Sequence, residues 1–359
     1  MRVVLFCQSL VSSWDHGAAH FLRGVATELC ARGHQIAVFE PANGWSRRHL
    51  IATVGEGAIR RFHEAFPDLT SIDYDPDRID LDRALDGADL VIVHAWTDPG
   101  LIARIGRHRL RARSYRLFFH DTHHRALTDP ERIDLSSFDG ALVAGESLAS
   151  LYRARGITER VWVWHEAADT RVFFPRPPAP DRRDVVWIGN WGPGDRSHQV
   201  RRLLIAPVRA LGLRAAAYGV RYPAAARRRL QSAGIEACGW VPNYRVPCVM
   251  AEFVATVHIP RPPYVAQLPG IPTIRMFESL ACGIPTVSAP WLDLEGLFSP
   301  GEDFLIAHTP GEMTAQLRAV LGDRDLARSL SDHGRAAILA RHTCAHRVTE
   351  LMAIVGQLA

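Results

Sequence analysis

The chain alternates two hydrophobic patterns over most of its length. Short, nearly continuous apolar runs occur at residues 3–7, 35–39, 89–93, 116–119, 141–144 and 161–164. Each lies next to a stretch whose apolar positions repeat at helical spacing. Within 17–32, Ala19, Leu22, Val25, Ala26 and Leu29 share one helical face, and Gly33 follows as a stop signal. An unbroken apolar strand is one buried on both faces. Strands alternating with helices therefore predict a parallel α/β sheet.

Residues 175–183, PRPPAPDRR, have proline and charge but no period, and read as a stiff linker. The alternation then restarts. Strands are expected at 184–188, 214–218, 254–259, 286–289 and 304–306, and helices at 198–211, 223–233, 273–281, 311–321 and 325–340. The expected organisation is two Rossmann-like parallel-sheet domains, 1–175 and 184–342, joined by a hinge at 176–183. A terminal helix within 343–359 is free to cross back to the first domain. Ligands of open parallel sheets bind at the carboxyl ends of strands, so two such sheets across a hinge imply a cleft.

Composition sharpens this picture by exclusion. At 359 residues, with 47% hydrophobic and 22% charged positions, the chain has ordinary globular composition and room for two cores. All 42 basic residues are arginine. Without lysine there is no Schiff-base enzyme and no Walker phosphate loop. Phosphate would have to be held by arginine, backbone amides or helix ends. A net charge of +4 is too small to argue for nucleic acid. The six cysteines are scattered without a C-x-x-C pair, which predicts buried thiols in a reducing compartment. The start, MRVVLFCQSL, has neither a membrane-length run nor a cleavage site, so a cytoplasmic protein is expected.

Four segments carry candidate chemistry. SSWDHG (12–17) separates the first strand from the first helix. Either Asp15, His16 and Gly17 meet a ligand there, or Asp15 or Ser13 caps the helix with His16 exposed. FFHDTHH (118–124) delivers His120 and Asp121 at a strand tip, as a proton acceptor, a helix cap or, with His123 and His124, metal ligands; the spacing fits no metal motif, and no metal is expected. WIGNWGPGDR (187–196) is a glycine-rich loop in which Gly189, Asn190 and Arg196 could meet phosphate, or a plain surface turn. In LPGIPTIRMFESLACGIPTVSAPW (268–291), Pro272 suits a first helical turn and Thr273 opens the helix. Arg275 and Glu278 share a face, for a diphosphate and a ribose or as a surface ion pair. Trp187, Trp191, Trp240 and Tyr264 either stack on a base or sugar or, as is expected of most of them, belong to the core. The run Arg104, Arg107, Arg109, Arg111, Arg113, Arg116 reads as a solvated face or, alternatively, a contact with anionic lipid.

FESLACGIPTVSAPW resembles the C-terminal signature of GT-B glycosyltransferases. HGAAHFLRGVATELCARGHQIAVFEP resembles the first helix and second strand of the glycogen-synthase-like, or group 1, transferases. FDGALVAGESLASLYRARG and HEAADTRVFFP resemble their last N-domain strand, helix and hinge. DVVWIGNWGPGDR, GWVPNYRVP and ARHTCAHR look most like the CgeB-like, spore-maturation branch. The resemblance covers nearly the whole chain. It implies transfer of a sugar from a nucleoside-diphosphate sugar to an acceptor hydroxyl, without metal or organic cofactor. Glu278 falls on the position contacting the donor ribose, Gly189 in the diphosphate loop, His120 on the position facing the reacting sugar, and Gly17 beside the donor phosphates. There are two departures. The group's second Glu, eight positions before the helix Glu, is Gly270. Its Arg-then-Lys pair cannot exist here, and Arg196 and Arg275 are the expected substitutes. The competing readings are a nucleotide-sugar 2-epimerase of the same fold and a catalytically silent nucleotide-sugar-binding protein.

Overall fold

The computed structural model describes residues 1–112, 114–122, 134–192, 194 and 196–358. The chain divides into two units, Met1–Glu166 with Cys344–Ala359, and Ala167–Thr343. The boundary thus precedes the proline-rich stretch, which belongs to the second unit.

The first unit is built on a seven-stranded sheet of β1 (Arg2–Phe6), β2 (Gln35–Pro41), β3 (Ile72–Tyr74), β4 (Leu90–His94), β5 (Arg116–Asp121), β6 (Gly140–Val143) and β7 (Val161–Val163). Its order is β3-β2-β1-β4-β5-β6-β7, and every pairing is parallel. All five residues of β4 are buried, because helices cover both faces of a parallel sheet. Each Leu, Val or Phe so buried stabilises the fold by about 1.5–3 kcal/mol. The terminal helix, Cys344–Gly356, packs on α1 (Ala19–Ala31) within this unit. Arg32 Nη2 donates to the Ala345 carbonyl (2.7 Å) and Trp164 Nε1 to that of Arg347 (2.8 Å).

The second unit carries a six-stranded parallel sheet of β8 (Arg183–Ile188), β9 (Ala215–Tyr218), β10 (Ile235–Gly239), β11 (Phe253–His258), β12 (Thr286–Ser288) and β13 (Leu305–Ile306). The order is β10-β9-β8-β11-β12-β13. Val185, Val257, Val287, Leu204, Leu230 and Leu317 meet in its core. Trp187 and Trp191 are each 1% exposed in that core, so neither indole is a stacking surface for a ligand.

Three local departures from the sequence pattern have physical causes. The strands β3 and β10 are edge strands with exposed positions, and show no continuous apolar run. The helix expected over 198–211 is interrupted by a π turn at Arg201–Ile205 between helices Ser197–Val200 and Ala206–Leu211. Pro207 has no N–H for the carbonyl four residues back, and the wider turn absorbs its ring. The helix expected over 273–281 spans Ile274–Ala281, with Thr273 as its cap and Pro272 outside it.

The arginine run is partly committed inside the protein. The Arg104 guanidinium donates to the carbonyls of Pro76 and Ile79, Arg109 pairs with Asp139 (3.4 Å), and Arg116 donates to the Leu358 carbonyl. Arg113 lies outside the described residues. Among the described residues no helix is long and apolar enough to cross a membrane.

Candidate functional site

Each sheet has one point where the strand order reverses, between β1 and β4 in the first unit and between β8 and β11 in the second. At such a point the loops leaving neighbouring strands turn to opposite faces and open a crevice at the carboxyl edge. The residues named from sequence collect at these two places.

In the first unit the loop from β1 to α1 is pinned by a buried carboxylate. Glu40, near the end of β2, is fully buried. Its Oε2 accepts the Ser9 hydroxyl (2.7 Å) and the Leu10 N–H (2.6 Å), and its Oε1 accepts the Ser71 hydroxyl (2.8 Å). Ser9 Oγ in turn accepts the Ser12 N–H (2.9 Å). The Ser12 and Ser46 hydroxyls pair at 2.9 Å, and Ser46 donates to the Trp14 carbonyl (2.7 Å). This network holds Asp15 at φ 47°, the left-handed region that Asp tolerates better than most residues. The cap position of α1 is Ala18, so neither Asp15 nor Ser13 occupies it. His16 is buried rather than exposed, and Gly17 lies at the surface.

His16 and His120 are joined through a residue that the sequence reading missed. His94 ends β4 directly beside His120 in register. The His94 ring lies edge-on to His120 (centroids 5.3 Å apart) and to His16 (6.2 Å). Trp164 closes over the other side of His120 at 4.9 Å. Burial lowers the His16 pKa to about 3, with the Arg23 charge adding to the effect, and burial alone lowers His120 to about 3. Neither ring nitrogen of His120 has a hydrogen-bond partner among the described residues. Asp121 is equally buried and accepts the Tyr152 hydroxyl (2.7 Å). His123 and His124 lie outside the described residues. Among the described residues no His, Cys, Asp and Glu group has the geometry to hold a metal ion.

In the second unit the loop after β8 runs over Gly189 and Asn190 to Arg196. Gly189 is a close-approach glycine, since a Cβ would come within 2.8 Å of Trp187 and 2.9 Å of Arg196 Nη1. Arg196 Nη1 donates to the Asn190 carbonyl (2.9 Å), and Asn190 Oδ1 accepts the Val220 N–H (3.0 Å). Pro193 and Asp195 lie outside the described residues. On the other side of the crossover, His258 ends β11 and was also missed. Its Nε2 meets Thr273 Oγ1 at 2.9 Å, and its Nδ1 meets Ser288 Oγ at 2.8 Å. Burial first, then the charges of Arg196 and Arg275, lower the His258 pKa to about 3. Both arginines therefore act on one buried ring.

Arg275 and Glu278 do form an ion pair, but not a surface one, because Glu278 is 1% exposed. Gly270 has φ 93° and packs against Leu294, so a glutamate there would meet strain as well as crowding. Trp240 and Tyr264 are half-buried. Both missed histidines close an apolar run at the carboxyl tip of a crossover strand, VIVH and ATVH. That position is the signal that could have found them.

The family described as "Glycosyl transferase-like" matches residues 196–353, a stretch that holds Arg196, Thr273, Arg275 and Glu278. No curated protein matches the sequence. Solved structures match over almost the whole chain at low identity. Sucrose-phosphate synthase from Thermosynechococcus elongatus is 14% identical, covers 100% of this chain and 99% of its own, and has a TM-score of 0.68. Anabaena HepE in complex with UDP-glucose is 12% identical, covers 98% and 99%, and has a TM-score of 0.69. An alpha-glucosyltransferase in complex with UDP and a 13-mer DNA containing an HMU base is 13% identical, covers 99% of each chain, and has a TM-score of 0.70. Two all-parallel α/β domains of this kind define the GT-B fold, and the chain has that fold.

Proposed function

We propose that the protein is a glycosyltransferase that moves a sugar from a nucleoside-diphosphate sugar to an acceptor hydroxyl, with no metal ion and no organic cofactor. The carrying observation is that Arg275 pairs with the buried Glu278 carboxylate on the Ile274–Ala281 helix, while the glycine loop after β8 ends at Arg196, and the charges of both arginines help lower the pKa of the buried His258 at the end of β11. A departing diphosphate needs fixed positive charge aimed at it, and in a chain without lysine arginine supplies that charge. Glu278 accepts the paired hydroxyls of the ribose, with Gly189, Asn190 and the backbone of Thr273 at the helix start completing the donor side. The UDP and UDP-glucose bound by structural neighbours support a nucleotide ligand for this fold.

The first unit would receive the acceptor. His120 is neutral at pH 7, with ring nitrogens unpartnered among the described residues, and accepts a hydrogen bond from the attacking hydroxyl. A pKa of about 3 is far from the operating pH, so His120 orients that hydroxyl rather than storing its proton. His16, lowered to about 3 as well, is excluded on the same ground, which leaves Asp121 or Asp15 to take the proton. Gly270 in place of a second glutamate favours one alternative, a protein that binds nucleotide sugar without transferring it.

The test is a thermal-shift screen with UDP, GDP, ADP, TDP and CDP and their sugars, followed by release of the diphosphate with and without chelator. One nucleotide should raise the melting temperature by mass action, and Arg275→Ala and Glu278→Ala should each abolish most of that shift. If no nucleotide shifts the protein, the donor-site assignment is wrong. A shift without turnover selects the binding protein, and turnover abolished by chelator removes the metal-free mechanism.

A further inference from the structure

We infer that His258 is a positioning residue that keeps the Thr273 side chain away from the N-terminus of its own helix, so that this end, whose first turn carries Arg275, stays open. The inference rests on the donor-site reading above.

The hydrogen-bond directions fix the argument. Ser288 Oγ donates its proton to the Ala289 carbonyl (2.7 Å). It can therefore only accept from His258, so His258 Nδ1 carries the ring proton (2.8 Å). In a neutral imidazole the other nitrogen is then an acceptor, and the Thr273 hydroxyl must donate to Nε2 (2.9 Å). The ring is 3% exposed and neutral, which leaves this the consistent arrangement.

Thr273 has the backbone of a helix cap, at φ −76° and ψ 154°, and is a residue type that caps well. Yet its side chain makes no cap bond to the Ile274–Ala281 helix. The contact to His258 is the reason, because it holds the hydroxyl on the strand side. The first-turn Arg275 projects from the same helix end, and it and Arg196 both act on the His258 ring. Strand pairing sets the whole device, since His258 and Ser288 are register partners on β11 and β12. A threonine free to rotate would cap the helix and place its oxygen where an anion's oxygen belongs.

The experiment measures binding of the nucleoside diphosphate selected by the screen, by calorimetry, to the full chain and to two variants. His258→Phe should weaken binding about tenfold and raise the donor KM more than it lowers kcat. In His258→Phe with Thr273→Val, which keeps the shape but cannot cap, at least half of that loss should return. A double variant as weak as the single one, or a single variant that binds like the parent, overturns the inference. A parent chain that binds no nucleotide instead overturns the donor-site reading beneath it. Nitrogen-15 NMR of the unmodified protein gives an independent check if the Phe variant does not fold. The His258 ring should be neutral with Nδ1 protonated at pH 7, and protonation at Nε2 defeats the argument.

Discussion

Glu40 shows how one residue sets the shape of a site it need not touch. A carboxylate without solvent needs donors, and it has the Ser9 and Ser71 hydroxyls, the Leu10 N–H and, at 3.5 Å, Arg47. Hydrogen bonds to a charged acceptor contribute about 1.5–3 kcal/mol each, and a stranded buried donor costs about 1–3 kcal/mol. Glu40→Ala is therefore expected to lower stability by about 3 kcal/mol in urea titrations, and to speed amide exchange across residues 9–17. Unchanged exchange there would mean that the carboxylate does not hold the loop. The sequence could not reveal this role, because FEP reads as a strand end and nothing local says that its carboxylate faces Ser9. The absence of lysine was legible as a property of composition alone, and it restricts the phosphate ligands of any such site to arginine, backbone amides and helix ends. The left-handed Asp15 was not, because the one glycine of SSWDHG, the residue type that favours this conformation, sits two positions on.

At the scale of elements, the hydrophobic period located most of the described strands and about half of the described helices to within a few residues, because strands buried on both faces leave unbroken apolar runs. It failed where tertiary packing decides. The short edges β3 and β10 carry no such run, and the π turn before Pro207 answers to one ring rather than to a pattern. Helix contact distance is another such case. Gly334 lies inside the helix Arg324–Arg341, where propensity alone would favour alanine by about 1 kcal/mol. A Cβ there would lie 2.7 Å from the Asp303 carbonyl oxygen and 2.8 Å from Leu280 on the helix that carries Arg275 and Glu278. The backbone oxygen cannot yield as a side chain can, so Gly334→Ala should destabilise by about 1–3 kcal/mol. A variant more stable than the parent in thermal melts would show that the two helices can separate freely.

Among the described residues, the buried histidines whose pKa is lowered to about 3 divide unequally, with His16 and His120 in the first unit and His258 in the second. All three have folded pKa values of about 3 against an unfolded value near 6.5. Between those limits the unfolded chain binds a proton that the native state refuses. Their contribution to stability is complete above pH 6.5 and is lost progressively as the pH falls toward 3. Each ring contributes a slope of about 1.4 kcal/mol per pH unit well below 6.5, so the first unit loses stability about twice as steeply as the second. Asp303 widens the gap: burial raises its carboxyl pKa, so acidification favours the folded second unit. The carboxylates Asp134 and Glu312, one in each unit and each lowered chiefly by a backbone hydrogen bond, act in the same direction as each other and leave the difference in place. Calorimetry from pH 7 to pH 5 should therefore resolve a transition that moves down faster in the unit containing His16 and His120, and His120→Asn should slow that movement. Equal shifts in both units, or no effect of the substitution, would mean that groups other than these imidazoles govern acid unfolding.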